Sequence, residues 1–93
     1  MFYVYILECQ DNTLYTGYTV DIKDRVKTHN EGLGAKYTRG RLPVKLVYQE
    51  VLESKSEAMK REYAIKALSR LKKLALIEAY NHKLSANWLL IIV

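Results

Sequence analysis

The apolar positions change their period along the chain. Between Phe2 and Cys9 both alternating sets, Phe2-Val4-Ile6 and Tyr3-Tyr5-Leu7-Cys9, are apolar. That pattern predicts a strand covered on both faces rather than one with a wet side. Gln10-Asp11-Asn12 is turn chemistry, and Leu14–Tyr18 reads as a second strand, so the first twenty residues predict a β-hairpin. The period then lengthens. Ile22, Val26 and His29 share a helical face, with Asp21 as a cap, Asp24 suited to the positive end of the helix dipole and Gly32 as a stop. Val44–Val51 returns to strand composition. From Ser54 to Tyr80 the spacing is helical again. Ala58, Ile65 and Leu68 form part of one stripe, Leu71, Leu74 and Ile77 follow, and a break falls near Leu68–Ser69.

The predicted order is therefore β-β-α-β-α-α. It describes an α+β fold, a small three-stranded antiparallel sheet with flanking helices that bury one core. A chain of 93 residues has room for one such domain. We assign it to residues 1–80. Residues 81–93 form an apolar tail that is expected to pack on the domain or on a partner, and its apolar run is too short to cross a bilayer.

Charge changes this picture because it is unevenly spread. The net charge is +5, yet residues 1–20 hold Glu8 and Asp11 and no Lys or Arg. Seven basic residues lie between Asp21 and Val47, and seven more between Lys55 and Lys73. Two basic stretches of this kind can gather on one side of a fold and attract a polyanion. Cys9 is the single cysteine, which excludes an intrachain disulfide and a Cys-rich zinc site. With no signal-peptide pattern at the start, a reducing cytoplasmic setting is expected.

Several residues could carry chemistry. Tyr5 and Tyr15 stand on neighbouring predicted strands, and a phenol can donate, accept or relay a proton. Strand tyrosines are more often packing residues. Gly17 lets a bulky group approach the backbone. Arg25 and His29, four apart, project from one helical face. The first suits a phosphate and the second a proton near neutral pH, although a solvated Arg and a partly packed His are the plainer reading. Glu62 sits on or beside an apolar stripe and so needs a partner. Lys66 and Arg61 are local candidates, and a hard divalent cation is another. The loop between Asn30 and Pro43 carries Lys36, Tyr37, Arg39 and Arg41 among three glycines, which suits phosphate contacts with Tyr37 stacked on a base. Its glycines match no nucleotide-cofactor fingerprint.

Taken together these residues resemble the GIY-YIG nuclease family. Val4-Tyr5-Ile6 and Tyr15-Thr16-Gly17 stand for its two name-giving motifs. Arg25 follows Tyr15 by ten residues, as the family's catalytic arginine does, and His29 comes one turn later. Glu62 stands where the family has its metal-binding glutamate. The resemblance runs from Phe2 to Leu76, and is especially to small, single-domain bacterial members, through His29-Asn30-x-Gly32 and Lys36-Tyr37-Thr38-Arg39. It implies a metal-dependent endonuclease that nicks DNA, or RNA, in repair or recombination. Tyr5, Tyr15, Arg25, His29 and Glu62 would be catalytic. Gly17, Lys36, Tyr37, Arg39 and Arg41 would contact nucleic acid, and Glu62 would hold one Mg2+ or Mn2+. A monomer or weak homodimer is expected, with no membrane partner. The competing reading keeps the fold without the chemistry, as a module that recognises branched or single-stranded DNA.

Overall fold

The computed structural model describes the backbone of residues 1–92 and the side chains of residues 1–84. β1 (Phe2–Glu8), β2 (Leu14–Thr19) and β3 (Lys45–Leu52) form one antiparallel sheet in the order β2-β1-β3. The strand with two apolar sets is the central one, as a doubly covered strand must be. Val4 and Ile6 are buried on one face, and Tyr5 and Leu7 on the other. α1 (Ile22–Asn30) covers the Tyr5 face through Ile22 and Val26. α3 (Lys55–Lys66) covers the Val4 face through Ala58 and Ile65, and α4 (Arg70–Ile92) adds Leu76, Ile77 and Tyr80. Each fully buried aliphatic side chain in these layers contributes roughly 1.5–3 kcal/mol relative to exposure.

Short-range chemistry closes the elements. Asn12 takes φ 66° in the hairpin turn, where Asp11 accepts from both the backbone and the hydroxyl of Thr13. Asp21 caps α1 by accepting from the Asp24 N–H at 3.0 Å. Ser54 caps α3 through the Glu57 N–H at 3.1 Å, and Ser69 accepts from the Lys72 N–H where α4 begins. These caps satisfy backbone donors that a helix start leaves open. The break between the last two helices therefore falls where the sequence places it.

Three features differ from the sequence reading. The loop before β3 contains one helical turn, α2 (Lys36–Arg39). β3 is bulged: Ile6 faces Tyr48 but Leu7 faces Leu46, so Val47 is the extra residue. Consecutive Val47 and Tyr48 consequently pack on the same layer, against the alternation of a regular strand. Finally, Leu71 and Leu74 are exposed, and α4 turns Leu76, Ile77 and Tyr80 inward instead. The fresh start at Ser69 resets the helical phase, so the stripe of α3 does not continue into α4. α4 runs past Tyr80 to Ile92, and the packing expected of the tail falls largely on side chains outside the described residues. No helix is long and apolar enough to cross a membrane among the described residues.

Candidate active site

Tyr5 lies opposite Gly17 in the β1–β2 register. A Cβ at Gly17 would stand 2.5 Å from the Tyr5 hydroxyl and 2.7 Å from its ring carbon Cζ. The bulky group that approaches Gly17 is thus the phenol of Tyr5, which crosses the bare backbone toward edge strand β2. Its hydroxyl meets His29 Nε2 at 3.1 Å. The other ring nitrogen, Nδ1, lies 2.9 Å from the Thr38 hydroxyl, which is also 3.0 Å from the Ala35 carbonyl oxygen. His29 and Thr38 are buried.

One assignment of protons serves every hydroxyl in this chain. Thr38 donates to Ala35 O and accepts from His29 Nδ1–H, which leaves Nε2 to accept from Tyr5. The opposite tautomer would use the 3.4 Å contact from Ala35 N–H to Nδ1, but it would strand the buried Tyr5 proton. The tautomer is assigned from this network, as it must be where hydrogens are inferred. Burial, and then the charge of Arg25, hold the imidazole below its ordinary value, which favours its neutral form. Burial and then Tyr15 push the Tyr5 phenol well above its ordinary value.

The end of α1 builds the cradle for His29. Gly32 takes φ 78°, with Leu33 N–H bonded to Thr28 O and Gly32 N–H to His29 O. This glycine-terminated reversal sends the chain back over the helix end. Gly34 then packs on the His29 ring so closely that any Cβ would collide with it. Asn30 ties the same end to β3 through both its amide groups and the backbone of Val44, at 2.8 and 3.1 Å.

Arg25 on α1 and Glu62 on α3 both bear electrostatically on Tyr5. The Arg25 charge lowers the phenol's pKa and the Glu62 charge raises it, so both act on one hydroxyl. Arg25 is exposed on α1. Glu62 is partly covered on α3, with one oxygen 3.4 Å from Lys66 Nζ. Arg61, the other candidate partner, turns away to Glu50, meeting its two oxygens at 2.9 and 3.0 Å, and Tyr48 donates to the same carboxylate. Glu50 is therefore the fully engaged acid, and Glu62 keeps one loose local pair.

The remaining candidates divide. The Tyr15 ring lies 5.2 Å from His29 and 6.4 Å from Tyr5. Tyr37 stacks on Tyr15 at 5.9 Å, and the Arg41 guanidinium sits 4.1 Å above the Tyr37 ring centre. Tyr37 is thus held between two neighbours and stays partly exposed. Arg41 also pairs with Asp11 at 3.0 Å and donates to Tyr37 O. Its charge is thus partly offset within the fold, whereas Lys36 and Arg39 are exposed on α2.

A hollow of about 440 Å³ lies between β3 and α4, lined by Gln49, Val51, Leu76 and Tyr80 among others, and it includes none of the candidates. Among the described residues no three His, Cys, Asp or Glu side chains converge. A cation here would have one protein carboxylate, Glu62. That donor set fits a hard ion that keeps most of its waters. Sequence reasoning did not single out Thr38, Gly34 or Asn30. The one available signal was that Asn30 and Thr38 lie within the His29-Asn30-x-Gly32 and Lys36-Tyr37-Thr38-Arg39 stretches, with Gly34 between them.

Comparison with known proteins agrees with this fold. Residues 1–75 match the model of the GIY-YIG catalytic domain. UPF0213 protein SH2523 of Staphylococcus haemolyticus is 63% identical over 76 residues, covering 82% of this chain and 93% of the relative. UPF0213 protein CPE1444 of Clostridium perfringens is 59% identical, with 89% of each chain covered. The solution structure of UPF0213 protein BH0048 from Bacillus halodurans is similar with a TM-score of 0.56 at 55% identity, over 85% of each chain. The protein EF2693 from E. faecalis gives 0.57 at 42% identity, over 85% of this chain and 84% of that one. With its two tyrosine motifs side by side in the sheet and a family match over most of its length, this chain belongs to the GIY-YIG family, among small single-domain bacterial relatives.

Proposed function

We propose that the protein is a metal-dependent endonuclease that nicks DNA. One observation carries the reading: the Tyr5 hydroxyl bonds to a neutral His29 and feels the charges of both Arg25 and Glu62. Phosphodiester hydrolysis needs an activated water, charge stabilisation on the phosphate and a stabilised leaving oxygen.

The proton route follows from the assigned tautomer. The raised pKa of Tyr5 means that a free phenolate is scarce at neutral pH. Tyr5 instead passes its own proton to His29 Nε2 as it takes one from the attacking water. His29 ends as imidazolium, its Nδ1–H still held by Thr38. The new hydroxide attacks phosphorus as the bond to the leaving oxygen breaks. Arg25 grips a non-bridging oxygen and offsets its growing charge. Glu62 would hold one Mg2+ or Mn2+, which when bound supplies charge neutralisation at the phosphate and the leaving oxygen. Tyr15 packs beside His29 and fixes the ring. A role in cytoplasmic DNA repair or recombination, acting on DNA more than RNA as a monomer or weak homodimer, fits this chemistry.

Plasmid nicking in Mg2+, Mn2+ and EDTA, with protein from a nuclease-deficient host, tests the reading. Cutting should need the cation and vanish in Arg25→Ala and Glu62→Ala. Undiminished cutting by Glu62→Ala would end the metal assignment. Binding without cutting by the wild type would favour a recognition module.

A further inference from the structure

We propose that the hollow between the hairpin turn and the start of α4 grips a backbone phosphate of the nucleic-acid strand beyond the reacting phosphate. The proposal rests on the nucleic-acid reading above and adds a surface that reading does not use. The hollow measures about 200 Å³ and is lined by Thr13, Leu14, Tyr37, Arg70 and Lys73.

Its wall carries two cations side by side. Arg41, Lys45, Arg61 and Lys66 each pair with an acid: Asp11, Glu8, Glu50 and Glu62. Arg70 and Lys73 have no such partner among the described residues, and no acid stands in the first turn of α4. Lys73 is nevertheless half-buried. Its stem is thus held along the wall of the hollow, which limits where the ammonium can reach and favours an anion bound there. Two cations lining one concave wall match a phosphodiester better than a single carboxylate does.

The hollow also stands beside the chemistry. Tyr37 lines it and stacks on Tyr15, which in turn touches His29. A strand lying along the β2 edge would meet Tyr5, Arg25 and Glu62 at one point and Arg70 and Lys73 at another. The surface does not read bases. Tyr37 is occupied by Tyr15 and Arg41, and the Thr13 hydroxyl donates to Asp11. Backbone charge is what remains to be recognised, so binding here is independent of sequence.

Binding of a fluorescent duplex oligonucleotide, measured against salt in EDTA, tests the surface apart from cutting. Arg70→Gln/Lys73→Gln should weaken binding about tenfold and lower the log–log salt slope by about 0.9, the value for the one phosphate no longer neutralised. A charge-matched control, Lys55→Gln/Lys83→Gln, should shift the slope by far less, and both variants should keep the wild-type unfolding midpoint. In nicking assays the first variant should raise KM and keep kcat at saturating DNA. Equal effects of the two double variants, or no effect of the first on a wild type that binds and cuts, would overturn this surface and leave the nuclease reading intact. A wild type that binds no oligonucleotide would overturn both.

Discussion

The Thr38 hydroxyl, 2.9 Å from His29 Nδ1, decides which imidazole nitrogen carries the proton. Because Thr38 gives its proton to Ala35 O, the ring donates at Nδ1 and accepts at Nε2. Thr38→Val should remove that acceptor and leave a buried N–H unpaired, at about 1–3 kcal/mol of stability. It should also free the ring to take the wrong tautomer, so nicking should fall while Thr38→Ser restores it. Nitrogen NMR shifts of the His29 ring read the tautomer directly. A wild-type ring protonated at Nε2 would contradict the assignment.

Two glycines hold the pair in contact, each by lacking a side chain. Gly17→Ala puts a methyl where the Tyr5 hydroxyl end lies, and Gly34→Ala puts one into the His29 ring. Both partners are buried and cannot swing clear. Each variant should lose about 1–3 kcal/mol as an overpacked site, and each should separate Tyr5 from His29. Denaturant unfolding gives the first effect. Loss of the Tyr5–His29 hydrogen bond by NMR gives the second. Gly40, which would meet nothing, is the control: Gly40→Ala should leave the Tyr5–His29 bond in place.

Local rules carried much of the fold into the sequence. A doubly apolar Phe2–Cys9 marked the central strand, and Asp21 and Gly32 marked the ends of α1 because caps act within three residues. The bulge at Val47 was invisible because it depends on the facing strand. The burial of Lys73 beside an exposed Leu71 was hidden for the same kind of reason, since tertiary packing sets the phase of α4. Within the candidate site, the tyrosines, Arg25, His29 and Glu62 stood out by residue type. Thr38 did not: its role exists only once the Gly32 reversal folds it onto His29. Arg41 read as a free cation because Asp11, thirty residues earlier, gave no sign of being its partner.

Glu50 and Glu62 should part under mutation. Glu50 accepts from Arg61 through both oxygens and from the buried Tyr48 hydroxyl. Glu50→Ala should cost about 2 kcal/mol, mostly from the orphaned Tyr48 donor, since the ion pair is partly exposed. Nicking per folded molecule should persist. Glu62→Gln breaks only one loose pair with Lys66 and should change stability by less than about 0.5 kcal/mol. It should abolish Mg2+-dependent nicking and weaken Mn2+ binding measured by paramagnetic line broadening. Identical broadening near Tyr5 in the wild type and Glu62→Gln would place the ion elsewhere.

The lowered pKa of His29 fixes the sign of two pH effects. Neutral Nε2 must accept the Tyr5 proton, so activity should be full near pH 7 and fall as pH drops through the folded-state pKa, below the ordinary 6.5. Stability should move the same way. The unfolded chain binds the His29 proton more readily than the folded one, so stability is fully present above the unfolded value and declines as pH falls toward the folded one. Since burial is the larger cause and the Arg25 charge the second, Arg25→Gln should raise the His29 pKa without restoring it fully. An NMR titration of the His29 ring in both proteins measures this. A wild-type ring that titrates at or above 6.5, or one indifferent to Arg25→Gln, would detach His29 from the electrostatics of the site and with it the proposed route for the proton.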